Sequence, residues 1–185
     1  MKKFINPFKF ISLRTAWCWG IATLILCSIY CWQIGLRLTS LSQTNYLGDR
    51  LWAATLRQVI VWVLLSVILY LLGIVASKSK VRFVDVAAFN LFARLPFDLS
   101  MLIFAFPSVR SVMALMVEGS FETAMQYTNV ISAISVVTAV MSIWYYVWTY
   151  NAFSVATNLK GFKGIALFIV GWLAAYILSA YALMF

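Results

Sequence analysis

The chain has 185 residues, of which 64% are hydrophobic and only 10% charged, and its mean hydropathy is +0.96. A soluble domain carries roughly 45–50% apolar and about 25% charged residues, so this chain has too few charged groups to cover a water-facing globule. The net charge of +9 would suit a nucleic-acid binder, but the basic residues are scattered between apolar runs and form no stripe or nucleic-acid motif. They read as topology signals at helix ends, with lipid headgroups as the expected anion.

The expected fold is an all-α integral membrane protein of about five transmembrane helices, N-terminus cytoplasmic and C-terminus outside. Residues 1–15 are expected to form a basic interfacial segment in which Lys2, Lys3, Lys9 and Arg14 alternate with bulky apolar groups. Residues 16–185 are expected to form a single five-helix domain. The first span covers about 16–36. A basic start followed by an apolar run resembles a signal peptide, but the run is about 21 residues long and no A-x-A-like cleavage site follows, so it is expected to remain as a span. Cys18, Cys27 and Cys31 lie within it. Cys27 and Cys31 share a helix face at i and i+4 and read as small apolar packing residues. The chain has no His, so a zinc site is not expected, nor is any cofactor.

The second span covers about 56–76, with Trp52 and Trp62 toward one end and Lys78 and Lys80 beyond the other. The third, about 83–106, contains Asn90, Arg94, Pro96 and Asp98. Its large apolar residues, at roughly −0.3 to −0.6 kcal/mol each, barely offset Arg94 and Asp98 at roughly +2.5 to +3.5 kcal/mol each. It is therefore expected to be stable only with its polar groups facing other helices or a wet pocket. The fourth span covers about 129–157 and the fifth about 164–184. The joint from Asn158 to Lys163 predicts a tight hairpin, with Gly161 and Gly164 stopping and starting helix.

Orientation follows from the loops. With the N-terminus inside, the inner side holds Lys2, Lys3, Lys9, Arg14, Lys78, Lys80, Arg82, Lys160 and Lys163, and the outer side only Arg37, Arg50, Arg57 and Arg110. Leaving the third segment on the inner face gives nearly the same imbalance, so length, not charge, makes it a span.

At 100° per residue Asn90, Arg94 and Asp98 fall within about 80° and form one polar stripe. Arg94 and Asp98, at i and i+4, predict a charge-assisted pair, although Arg before Asp is the less favourable order. Pro96 removes an amide donor and frees the carbonyl of Phe92. Such a constellation is either a binding or gating site or a self-neutralising pair that fixes packing. On the fourth segment Thr138, Ser142, Tyr145 and Thr149, extended by Ser135, Ala152 and Ala156, make a candidate partner face. On the fifth, Gly171, Ala175 and Ser179 give a small-xxx-small packing face. Trp144, Tyr145, Tyr146, Trp148 and Tyr150 read as an interfacial aromatic belt.

No P-loop, nucleophile elbow or suitably spaced carboxylate pair is present. Glu118 and Glu122 share a helical spacing, but in a predicted outer loop. No enzyme activity is expected.

The loop Ser77-Lys-Ser-Lys-Val-Arg-Phe83 leading into Ala93-Arg-Leu-Pro-Phe97, the stretch Thr149-Tyr-Asn-Ala-Phe-Ser-Val-Ala-Thr-Asn-Leu-Lys160 and the short hairpin to a closing helix together resemble the Yip1 domain family in its compact bacterial form. The resemblance runs from about Leu51 onward. It implies a five-helix membrane domain; the family's eukaryotic members act in vesicle trafficking with Rab GTPases. This chain lacks their long N-terminal region and their Asp-Leu-Tyr-Gly-Pro stretch, so a GTPase partner does not follow. The expected role is a non-enzymatic multi-pass protein of the cell membrane, the bacterial inner membrane in this reading. It would organise partner proteins or lipids through helix packing and oligomer contacts, as a homo-oligomer or with other membrane proteins and without nucleic acid. The alternative is a small transporter or channel component that uses the third-segment polar site.

Overall fold

The computed structural model describes residues 2–184, with Lys2 and Lys3 by backbone alone. Met1, Phe185 and the two lysine side chains expected at the interface lie outside the described residues. Helix α1 (Lys2–Ile5) and a 3-10 turn (Pro7–Lys9) lead into α2 (Leu13–Ile34); then come strands β1 (Leu36–Ser40) and β2 (Gln43–Tyr46) and helix α3 (Leu51–Ala76). Helices α4 (Phe83–Ala93) and α5 (Leu95–Ser100) and a 3-10 turn (Met101–Ala105) form one broken rod. Helices α6 (Pro107–Val117), α7 (Phe121–Met125), α8 (Thr128–Thr157) and α9 (Gly161–Ala182) complete the chain.

Five of these units are long and apolar enough to cross a membrane: α2, α3, the composite Phe83–Ala105, α8 and α9. They alternate in direction. At one end Ser77 Oγ donates to the Thr157 carbonyl at 2.6 Å and Lys163 Nζ to the Ala76 carbonyl at 3.0 Å. At the other, the Leu41 amide donates to Ser179 Oγ at 2.9 Å and Arg57 Nη1 to the Leu183 carbonyl at 2.7 Å. The end holding the N-terminal segment also gathers the 77–82 and 158–160 loops, and with them the larger set of basic residues.

The third unit is the axis of the bundle. In its most apolar window 67% is buried, against 28% or less for the other four. Every residue from Val86 to Ala93 is buried, packed on α2, α3 and α8. The polar side chains of this unit therefore lie among helices, and α8 is one of those they meet. Small residues permit such close packing: a Cβ added at Gly20 of α2 would lie 2.7 Å from Leu91 Cγ. The small-residue face of the fifth span is likewise occupied, with Gly171, Ala175 and Ser179 buried. A Cβ added at Gly171 would meet Leu69, Leu72 and Ile68 of α3.

Several expectations are corrected. The stretch after the first span is not a plain loop. Leu36-Arg-Leu-Thr-Ser40 alternates apolar and polar groups at period two and pairs antiparallel with Gln43–Tyr46. Leu36, Leu38 and Leu41 are buried, and the strand they belong to or follow packs on α2, α3 and α9, so the fold carries a hairpin on an otherwise helical frame. Gly35, at φ 75°, ends α2 in the left-handed conformation that favours glycine, and its carbonyl accepts from the Gly48 amide at 2.9 Å to close the hairpin base.

Other boundaries move as well. Helix α3 begins at Leu51, several residues before the predicted span, and α9 begins at Gly161 and ends at Ala182. Asn158, at φ 55°, stops α8 in place of Gly161. The predicted outer loop contains two helices, and the break at Gly119 leaves Glu118 at the C-cap of α6 and Glu122 in α7, so the two carboxylates share no helix.

Of the aromatic residues of α8, Tyr145 and Trp148 are buried and Trp144, Tyr146 and Tyr150 half-buried, and each packs against another ring. Trp148 stacks on Phe92 at 5.4 Å and donates through Nε1 to the Phe4 carbonyl, Trp144 stacks on Phe4 at 4.6 Å, and Tyr146 meets Trp172 edge-on at 4.9 Å. The N-terminal segment is thereby strapped to the bundle, with Phe8 buried among Phe89, Phe92 and Trp148 and Asn151 Nδ2 donating to the Ile5 carbonyl.

Candidate functional site

Helix α4 gives way to α5 at Arg94, and Pro96 occupies the first turn of α5, where a missing amide costs little. The Arg94 amide donates to the Leu91 carbonyl at 3.4 Å, a tightened last turn. Its guanidinium is buried and makes no hydrogen bond to Asp98, although the two charges stand near enough to interact. Nη2 donates instead to Gln58 Oε1 of α3, and the guanidinium carbon stands 5.7 Å from the Phe97 ring centre. The predicted charge-assisted bond between Arg94 and Asp98 is therefore corrected. Helical side chains lean toward the N-terminus, so an Arg four residues before an Asp leans away from it, and a short Asp cannot bridge the gap.

Gln58 carries the contact onward. Its Nε2 donates to Cys27 Sγ of α2 at 3.4 Å. Cys27 Sγ and Cys31 Sγ are 3.9 Å apart, and Met101 Sδ lies 3.5 Å from the first and 3.4 Å from the second. Asp98 also neighbours Cys27, on the wall of a groove of about 410 Å³ between α2 and α5. Thr23, Tyr30, Gln33, Leu99 and Leu102 also line that groove.

Among the described residues, Asn90 Nδ2 and Oδ1, Arg94 Nη1, Asp98 Oδ1 and Tyr145 Oη are buried polar atoms without a hydrogen-bond partner. Each orphan costs about 1–3 kcal/mol. A stripe of them on the bundle axis is a costly arrangement for packing alone, and is what a polar ligand or ordered water would satisfy.

The predicted residues are thus distributed in three ways. Asn90 and Arg94 are sealed between helices, Pro96 shapes the break, and Asp98 faces the groove. On α8, Tyr145 and Thr149 are buried, with the Tyr145 ring 5.7 Å from Phe97, whereas Thr138 and Ser142 are half-buried. Gln58 is absent from the sequence-predicted site, although an amide is rare in so apolar a helix. Cys27 and Cys31 stand out in the sequence by their spacing, but nothing there joins them to Met101. Among the described residues no three His, Cys, Asp or Glu side chains cluster as a metal site.

Compared with known proteins, the chain matches no family model, no curated protein and no solved structure. The likeness to the Yip1 domain family rests on sequence pattern alone.

Proposed function

We propose that this is a non-enzymatic multi-pass membrane protein that organises partner membrane proteins, a second copy of itself included, through the outer half of α8. The five spans would cross the cell membrane with the N-terminus and its cluster of basic residues on the cytoplasmic side. The observation that supports this reading is the state of α8. Its most apolar window is only 6% buried, and Ser132, Ser135 and Ala139 are exposed on one side of it, with Ser142 half-buried at the same edge. These residues fall within about 80° of helix circumference. In lipid, small and hydroxyl residues let a second helix approach closely, whereas the equivalent small-residue face of α9 is already used against α3.

The test is cross-linking in native membranes, with Cys18, Cys27 and Cys31 replaced and one cysteine placed at Ser135 or Ala139. A dimer or a discrete heteromeric adduct is expected there and not from Ile177, which is exposed on α9. Equal adduct formation at all three positions, or none, would defeat the reading.

A second reading, a transporter or channel component, is favoured by the orphaned polar atoms of Asn90, Arg94 and Asp98. It requires water along the stripe. Single cysteines at Asn90, Arg94 and Asp98 are then expected to react with a water-soluble thiol reagent in folded protein. Three unreactive positions would leave the stripe as packing.

A further inference from the structure

We propose that Cys27, Cys31 and Met101 form a three-sulfur site for a soft monovalent metal ion of the copper(I) class. The three sulfur atoms make a triangle with edges of 3.9, 3.5 and 3.4 Å. The centre of such a triangle lies about 2.1 Å from each corner, close to the roughly 2.3 Å of a metal–thiolate bond. Sulfur atoms in plain contact also stand at such distances, so the spacing has to be joined to what surrounds it.

The surroundings point at the sulfur. A guanidinium has donors and no acceptor, so Arg94 is met by the oxygen of the Gln58 amide. The amide nitrogen is therefore committed to Cys27 Sγ. This chain of Arg94, Gln58 and Cys27 is buried, and it delivers an N–H backed by a positive charge to one corner of the triangle. An outer shell of this kind orients a sulfur ligand, and the Arg94 charge offsets the Asp98 carboxyl that also neighbours Cys27.

Ligand chemistry selects the ion. Two thiolates and a thioether are soft donors that favour copper(I), and no imidazole is available in a chain without His. The stem of the site is rigid: Cys27 and Cys31 lie one turn apart on α2, and the Tyr30 hydroxyl donates to the Met101 carbonyl at 3.1 Å. Access is provided at Cys27, which lines the groove between α2 and α5, while Cys31 and Met101 are buried behind it. On binding, two S–H bonds break, two metal–thiolate bonds form, the Met101 thioether donates a lone pair, and two protons leave to solvent. The metal enters and stays as copper(I), so no electron is exchanged.

The experiment adds copper(I) under reductant to the full chain in detergent and measures retention against a competing copper(I) chelator, with X-ray absorption of the bound ion. One ion per chain with three sulfur neighbours is expected. Cys27→Ser and Cys31→Ser should each lose it, and Cys18→Ser, at an exposed position, should keep it. Met101→Leu conserves volume and should fold normally while binding at least tenfold more weakly. Wild-type protein that retains no copper, retention unchanged in Cys27→Ser or Met101→Leu, or an absorption spectrum with fewer than three sulfur neighbours would overturn the assignment.

Discussion

Replacing Asp49 by Leu is expected to destabilise the folded protein by about 1.5–3 kcal/mol, because it removes a charge-assisted hydrogen bond from a buried guanidinium. Arg57 is 1% exposed, its Nε donates to Asp49 Oδ2 at 2.9 Å, and its Nη1 donates to the Leu183 carbonyl. The guanidinium thereby joins the linker before α3 to the end of α9. The double replacement Asp49→Leu with Arg57→Met removes both charges and should recover most of the loss, since a buried ion pair exchanged for apolar groups of similar size is often neutral. Unfolding in a denaturing-detergent titration measures both. A double variant no more stable than Asp49→Leu alone would show that the pair matters beyond its charge compensation.

Gly171→Leu is expected to be strongly destabilising, because it overpacks the contact between α9 and α3. A Cβ at this position would lie 2.6 Å from Leu72 Cδ1 and 2.9 Å from Leu69 Cδ2, and the rest of a leucine has nowhere to go unless α9 moves off α3. Overpacking of this kind costs about 1–3 kcal/mol. The displacement would also strain the Leu41–Ser179 and Arg57–Leu183 hydrogen bonds, so the loss should sit at the upper end of that range. Gly171→Ala should be milder, because the atoms it meets are the ends of flexible side chains. The same titration orders the three proteins as wild type, alanine, leucine. Equal stability of the leucine variant would mean that the two helices are not closely seated.

Hydropathy and helix punctuation locate all five long units, because a run of apolar residues long enough to span the bilayer has few other folds open to it. The hairpin is harder to see for a related reason. Leu36 closes the first apolar run, which hides the strand period that Leu36 and Leu38 make with Arg37 and Thr39. The polar stripe on the third segment is legible as spacing, but its partners are not. Nothing in the order of residues says that Arg94 reaches Gln58, 36 positions away, and local spacing instead suggests Asp98. Aromatic residues give the same difficulty on α8, where composition suits an interface and only the structure shows that the rings pack on Phe4, Phe92 and Trp172.

The hairpin and the final helix also impose an order on biogenesis. The Leu41 amide has to wait for Ser179, 138 residues later, and the Arg57 guanidinium for the Leu183 carbonyl, 126 residues later. During synthesis the early half of the chain therefore emerges before these acceptors exist, and only the last turns of α9 let that end of the bundle close. A chain stalled before residue 179 lacks both acceptors, so that end of the bundle cannot close as it does in the full structure.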